Sequence, residues 1–212
     1  MTQETRDEEI VHVVDDDVDV RDSIRMLLWS ADFRVETSST PQELLAKVDS
    51  GNRGCLVLDV RLPGMNGLEL QKTLQERGID MPIVFITGHG DIPLAVEAVN
   101  AGALDFLEKP FEDEVLIERI RNGLELNRQR EDARSRRASV ESRLETLTPR
   151  EREVMEGILQ GKLNKVIAHE LDVSVRTVEV HRARVLEKME ARNSSDMVRL
   201  VLSTEEYRDW LI

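Results

Sequence analysis

Over the first 120 or so positions, apolar residues gather in short runs of strand length, and each run stops at a polar side chain. The runs at 10–14, 55–58 and 83–86 are followed by Asp15-Asp16-Asp17, by Asp59 and by Thr87, and the run at 103–107 leads to Lys109 and Pro110. After each run the apolar positions take up helical spacing. Strand-length runs alternating with helical segments predict a parallel sheet wound with helices. The expected strands are 10–14, 35–38, 55–58, 83–86 and 106–107, the second being weakly marked. Thr40-Pro41-Gln42-Glu43 carries a helix-start signature of N-cap, proline at the first helical position and glutamate three after the cap. Asp91 and Pro93 are expected to open a helix over 94–101 that Gly102 closes.

From position 124 the pattern changes. The stretch 128–137 is almost devoid of apolar residues and has no Gly or Pro, so it reads as a solvated linker helix continuing from 115–126. A short coiled coil through Leu124, Ala138, Val140 and Leu144 is the alternative, but its apolar spacing is poor. Thr148-Pro149-Arg150-Glu151 repeats the helix-start signature, and four short helices are predicted at 149–160, 164–171, 175–189 and 195–202. The domain reading is therefore 8–123, a charged linker over 124–146, and a small all-α domain over 147–212. Within the latter, 164–189 reads as helix, turn, helix, with Asp172-Val173-Ser174 as the turn and Ser174 as N-cap. Helical spacing places Val178, Val185 and Met189 on one face, and Arg176, Glu179, Val180, Ala183 and Glu187 on another.

In wound parallel sheets the ligand sits outside the carboxyl ends of the strands, at a topological switch point. The strand ends therefore bring Asp15, Asp16, Asp59, Thr87 and Lys109 to one place. Adjacent carboxylates repel, and one stays protonated unless a cation joins them. Lys109 supplies a single positive charge. A hard divalent cation with oxygen ligands settles the balance, and Mg²⁺ fits best. An aspartate beside such an ion can attack a phosphoryl group and become an aspartyl phosphate. Mg²⁺ and Lys109 would neutralise the phosphoryl oxygens, and Thr87 would donate a hydrogen bond.

Bulk properties narrow the class. At 212 residues the chain suits two small domains. No apolar run approaches the roughly 18 residues needed to span a bilayer. The polar, acidic start Met1-Thr2-Gln3-Glu4-Thr5-Arg6 does not read as a signal peptide, and a cytoplasmic location is expected. Cys55 is the only cysteine, which excludes an internal disulfide and a cysteine-based zinc site and suggests a small buried hydrophobe. His12 reads as structural and His89 as a loop histidine without chemistry. Residues 1–123 hold 25 Asp and Glu against 12 Lys and Arg, whereas 124–212 hold 17 of each. The whole net charge of −13 thus lies in the first part, which points to different tasks for the halves.

These motifs carry a resemblance. Val13-Val14-Asp15-Asp16-Asp17, the run from Leu58 to Gly67, Thr87-Gly88-His89-Gly90 and Lys109-Pro110-Phe111 resemble the receiver domain of two-component response regulators. The resemblance implies a flavodoxin-like, doubly wound, five-stranded parallel sheet with Asp59 as phosphoacceptor for a histidine kinase. It implies that Asp16 binds Mg²⁺ directly, Asp15 through water, and the backbone carbonyl of Arg61 as a further ligand. Thr87 and Phe106 would then act as switch residues.

Leu147-Thr148-Pro149-Arg150-Glu151, Asn164-Lys165-Val166-Ile167-Ala168 and Arg176-Thr177-Val178-Glu179-Val180-His181-Arg182 resemble the LuxR-type helix-turn-helix, and the two domains together resemble the FixJ/NarL class. By that resemblance Glu179, Val180 and Ala183 face bases, Arg176 and Thr177 lie on the same reading helix, and Lys165, Arg182 and Arg184 contact phosphates. The small positive balance over 174–192, five Lys and Arg against three Glu, argues for weak binding by one copy and for a dimer on paired half-sites.

The expected function is a phosphorylation-switched transcription factor, an activator rather than an enzyme, working on promoter DNA with RNA polymerase. The phosphorylated form would dimerise through the face made by the fourth helix and fifth strand. One rival is a phosphatase of the haloacid dehalogenase type, which needs a second acid two residues after the nucleophile, where this chain has Arg61. The other is a receiver acting through protein contacts alone.

Overall fold

The structure, a computed structural model, describes residues 9–88, 92–208 and 210, and at 92, 93 and 95 it describes the backbone alone. The described chain divides into two compact units after Arg130. In the first, strands alternate with helices: β1 (Ile10–Val14), α1 (Val18–Ser30), β2 (Val35–Ser38), α2 (Pro41–Lys47), β3 (Gly54–Asp59), α3 (Gly67–Glu76), β4 (Ile83–Thr87), α4 (Ile92–Asn100) and β5 (Asp105–Glu108). The long helix α5 (Asp113–Glu145) follows and continues past the division. The sheet order is β2-β1-β3-β4-β5, every pairing parallel. The chain first winds from β1 out to β2, then crosses to β3 and winds the other way, so the switch point lies between β1 and β3.

Side chains alternate across a strand, and the two faces feed two cores. Val11, Val13, Cys55, Val57, Val84 and Ile86 pack with Ile24 and Leu28 of α1 and Leu116, Ile120 and Leu124 of α5. Leu56, Leu58, Phe85 and Val14 pack with Leu44 of α2, Leu70 and Leu74 of α3 and Ala98 of α4. Each fully buried Leu, Val or Phe contributes about 1.5–3 kcal/mol of transfer free energy, so the sheet is clamped from both sides and its carboxyl edge is held still.

The strands run further than the apolar pattern predicts. β3 ends on Asp59 itself, β4 on Thr87, and β5 covers Asp105–Glu108. β2 is an edge strand, and Lys47 Nζ donates to its Thr37 carbonyl at 2.8 Å, which masks part of the open edge. Helix α4 begins at Ile92, with Pro93 as its second residue, so its start lies two residues ahead of the expected one. Asp91 and His89 lie outside the described residues.

In the second unit, α6 (Pro149–Leu159), α7 (Asn164–Glu170), α8 (Val175–Lys188) and α9 (Ser194–Val201) surround one core. Val154, Met155, Val178, Val185, Met189, Met197 and Tyr207 fill it, joined by Val140 and Leu144 from the end of α5. The solvated linker expected over 124–146 is solvated only in its middle. Leu124 and Asn127 are buried in the first unit, and Val140 and Leu144 in the second. Their spacing is too poor for a coiled-coil seam because they serve two cores. Among the described residues no helix is long and apolar enough to cross a membrane.

Candidate functional site

Three strand ends meet around one ammonium. Lys109 Nζ, just past β5, lies 2.9 Å from Asp15 Oδ2 and 2.6 Å from Asp59 Oδ2. These partners stand 94 and 50 positions away in sequence, and parallel strands ending at one level bring them together. Each carboxylate gives its other oxygen to the backbone. Asp15 Oδ1 accepts from the Asp17 N–H at 2.9 Å and Asp59 Oδ1 from the Arg61 N–H at 2.7 Å. Asp15 is only 1% exposed and Asp59 9%, so neither charge is screened well by water.

The charges do not balance. Burial pushes the Asp59 carboxyl above the usual range, and the nearby Asp15 adds to the rise. The hydrogen bonds from Lys109 and the Arg61 N–H oppose the shift without overcoming it. Burial also works against the Lys109 charge, yet its bonds to Asp15 and Asp59 hold its pKa above the ordinary lysine value. Lys109 is shared between the two carboxylates.

The surroundings are built to keep this edge in place and open. Thr87, at the end of β4, is buried, and its hydroxyl donates to the Gly88 carbonyl at 3.1 Å. Its own carbonyl accepts from the Lys109 N–H at 2.8 Å. Phe106 on β5 pairs in register with Phe85 and is half-buried against the core. After β3 the chain loops back, turns at Gly64 (φ +85°) and presses Gly67 against the strand end. A Cβ at Gly67 would sit 2.7 Å from the Asp59 carbonyl oxygen, so only glycine lets α3 start there. A capping box between Asn66 and Glu69 fixes that start. Asp16 is exposed and lines a cavity of about 460 Å³ together with Arg61, Asn66 and Leu68.

The donors present fit Mg²⁺. They are hard oxygens of Asp15, Asp16 and Asp59 and the Arg61 carbonyl, with open volume beside Asp16 and Arg61. Among the described residues no three acidic, His or Cys side chains form a ready-made metal cage. Mg²⁺ does not require one, since it takes one or two carboxylates with water and phosphate oxygens.

In the second unit, α7 and α8 flank a turn in which Asp172 adopts a left-handed conformation (φ 52°). Ser174 caps α8, its Oγ accepting from the Thr177 N–H at 3.1 Å. Val178, Val185 and Met189 are fully buried, while Arg176, Glu179, Val180, Ala183 and Arg184 are exposed on α8 and Lys165 on α7. Thr177 is half-buried beside its cap. Lys165, Arg176 and Arg184 have no hydrogen-bond or ion-pair partner among the described residues. Arg182 differs: its Nη1 donates to Asn164 Oδ1 at 3.0 Å and its Nη2 to Ser194 Oγ at 2.5 Å.

Some roles escape the sequence pattern. Asp17 is the N-cap of α1, accepting from the Asp19 and Val20 N–H groups, a role that its position just before a helix signals. The Asn66-x-x-Glu69 spacing likewise marks the capping box at α3. His12 is buried beside Glu36, its Nδ1 3.9 Å from Oε2, and burial pushes its pKa down. Cys55 is buried, and burial pushes its thiol up to about 12.

Comparison with known proteins adds the following. Residues 11–121 match the family model of the response regulator receiver domain, and residues 145–201 that of the bacterial regulatory proteins of the luxR family. The transcriptional regulatory protein FixJ of Bradyrhizobium diazoefficiens is 46% identical over 195 residues, covering 91% of this chain and 94% of that protein. The response regulator protein TmoT of Ectopseudomonas mendocina is 42% identical over 204 residues, 96% of this chain and 91% of that one. Among solved structures, that of the response regulator StyR is 45% identical at a TM-score of 0.82, covering 92% of this chain and 98% of that one. Full-length FixJ from B. japonicum is 43% identical at a TM-score of 0.58, covering 92% and 97%.

Proposed function

This chain belongs to the response regulators that join a receiver domain to a DNA-binding domain of the luxR family, and we propose that phosphorylation of Asp59 switches its DNA binding. The observation that carries this reading is the Lys109 ammonium held between Asp15 and Asp59 at the switch point of the sheet. A phosphohistidine of a kinase is the donor. An Asp59 carboxylate oxygen attacks phosphorus as the phosphorus–nitrogen bond breaks, the donor imidazole leaves, and an aspartyl phosphate remains.

Asp15, Asp16, Asp59 and the Arg61 carbonyl are the groups that would hold Mg²⁺, whose contribution is positive charge against the phosphoryl oxygens. Lys109, shared between Asp15 and Asp59, follows the negative charge onto the phosphoryl group. The Thr87 hydroxyl exchanges the Gly88 carbonyl for a phosphoryl oxygen, and Phe106 turns inward behind it.

The receiver, taken as 8–123, then pairs with a second copy through α4 and β5. Val96 and Val99 of α4 are half exposed, at 51% and 42%, and offer that pairing an apolar surface. Paired DNA-binding domains, taken as 147–212 beyond a linker at 124–146, read two half-sites of promoter DNA. On α8, Glu179, Val180 and Ala183 face the bases, with Arg176 and Thr177 on the same reading helix, and the unpartnered Arg184 of α8 and Lys165 of α7 take phosphates. The bound dimer recruits RNA polymerase and activates transcription.

The test is labelling by a small acyl phosphate donor in the presence of Mg²⁺. The unaltered chain should acquire one acid-labile phosphoryl group, and Asp59→Asn none. Full labelling of Asp59→Asn would remove the basis of this reading.

A further inference from the structure

We propose that Arg182 is a positioning residue: it locks the first residues of α7 and α9 onto α8 and so sets how the reading helix is presented, without taking a DNA phosphate itself. The proposal rests on the DNA-binding reading of α8. Helix α7 has seven residues, and its N-cap position, Leu163, offers no side-chain acceptor. A helix that short is marginal by itself, so its start needs an anchor from elsewhere. Arg182 supplies it. One arm of the guanidinium binds Asn164, the first residue of α7, and the other binds Ser194, the first residue of α9.

Because the guanidinium is a rigid planar fork, two simultaneous bonds fix three helices relative to one another. Asn164, Arg182 and Ser194 line a groove of about 880 Å³ with Lys162, Ile158 and Val198. Lys162 is itself committed to Glu170 at 2.7 Å.

The contrast with the other cations of this unit decides the role. Lys165 and Arg184 are exposed and unpartnered among the described residues, so they meet a phosphate without breaking anything. Arg182 is half-buried and would have to leave two acceptors. In a helix-turn-helix the first helix sets the approach of the second to the groove. Loosening the start of α7 therefore weakens DNA contacts made elsewhere while the charges facing DNA stay the same.

The test measures binding of the full chain, phosphorylated and not, to a mixed-sequence DNA duplex across a salt series, well below the unfolding midpoint. Two variants test the lock, and a third, Arg182→Met, tests for a phosphate contact. Arg182→Lys keeps the charge and loses the fork. Asn164→Ala combined with Ser194→Ala keeps Arg182 and removes its acceptors. Both should raise Kd about five- to tenfold with an unchanged slope against salt, and both should lose hydrogen-exchange protection in the first turn of α7. Arg182→Lys binding like the unaltered chain would overturn the proposal, as would an unchanged Kd for the double variant. A loss of about one unit of salt slope in Arg182→Met would make Arg182 a phosphate contact instead. If the unaltered chain binds no duplex in either state, the DNA-binding reading itself falls, and this proposal with it.

Discussion

Each unit holds a lysine against buried carboxylate, and the two contacts end in opposite states. In the first unit Lys109 is shared between Asp15 and Asp59, and the Asp59 carboxyl still sits above its ordinary range. In the second, Lys188 Nζ lies 2.7 Å from Glu151 Oε2, and the same oxygen accepts from the Thr148 N–H at 2.9 Å. There the Lys188 hydrogen bond, helped by Thr148 and opposed by burial, holds the Glu151 carboxyl down at about 2. The cations are alike; the number of carboxylates each must serve differs. Glu151 is a closed structural lock on the start of α6, already neutral as a pair. Asp59 is left short of positive charge, which suits a group that must accept a further cation and a phosphoryl group.

Mutations that remove one partner should widen this contrast. The largest effect is expected from Lys109→Met, which takes the shared ammonium from the phosphoacceptor. Loss of one preorganised charge should slow phosphorylation from a small donor by about 100-fold or more, read as the initial rate of acid-labile labelling; a near-normal rate would mean that Lys109 only holds the fold. Next is Glu151→Gln. Breaking a buried charge-assisted bond there should cost about 2–3 kcal/mol, seen as a lower urea midpoint for the second unit with labelling unchanged.

Acid should show the same lock. Folding depresses the Glu151 pKa from 4.5 to about 2, so the contribution of the pair is complete above the unfolded value and shrinks as pH falls. It is gone once pH drops below the folded value. This part of the acid sensitivity should be missing in Glu151→Gln. The smallest effect is expected from Thr148→Ala, which removes the cap hydroxyl that accepts from the Glu151 N–H and should cost about 1 kcal/mol. An effect as large as that of Glu151→Gln would place the strength of the lock in the cap rather than in Lys188.

How much of this could be read in advance depended on the range of the interaction. The inner strands and their polar ends are legible because burial on both faces demands continuous apolar runs, and Asp15, Asp59 and Thr87 each break one, while Lys109 follows Glu108 at the end of the edge strand β5. The β2 strand was faint because it lies at the edge, where only part of it is buried. Thr40 and Thr148 were legible as caps because capping is local in sequence. The links from Lys188 to Glu151 and from Arg182 to Asn164 and Ser194 were not. They join residues 37, 18 and 12 apart on different helices, and no periodicity within one helix signals them. The burial at the far end of the linker is hidden for a related reason: Val140 and Leu144 match no seam within their own helix and find their partners in another part of the chain.

Asp15, Asp16 and Asp17 carry one functional group into three different settings: against an ammonium, into open water, and onto the first amides of a helix. What separates them is reach. One extra methylene at 15 would have to be folded into a site with almost no free surface. At 16 it would extend into open volume and carry the carboxylate away from the place where it would meet Mg²⁺, and at 17 it would overshoot the amides it has to meet. A segment that looks like a plain acidic stretch is thus three arms of fixed length, and swapping aspartate for glutamate along it would preserve every charge while changing each position differently.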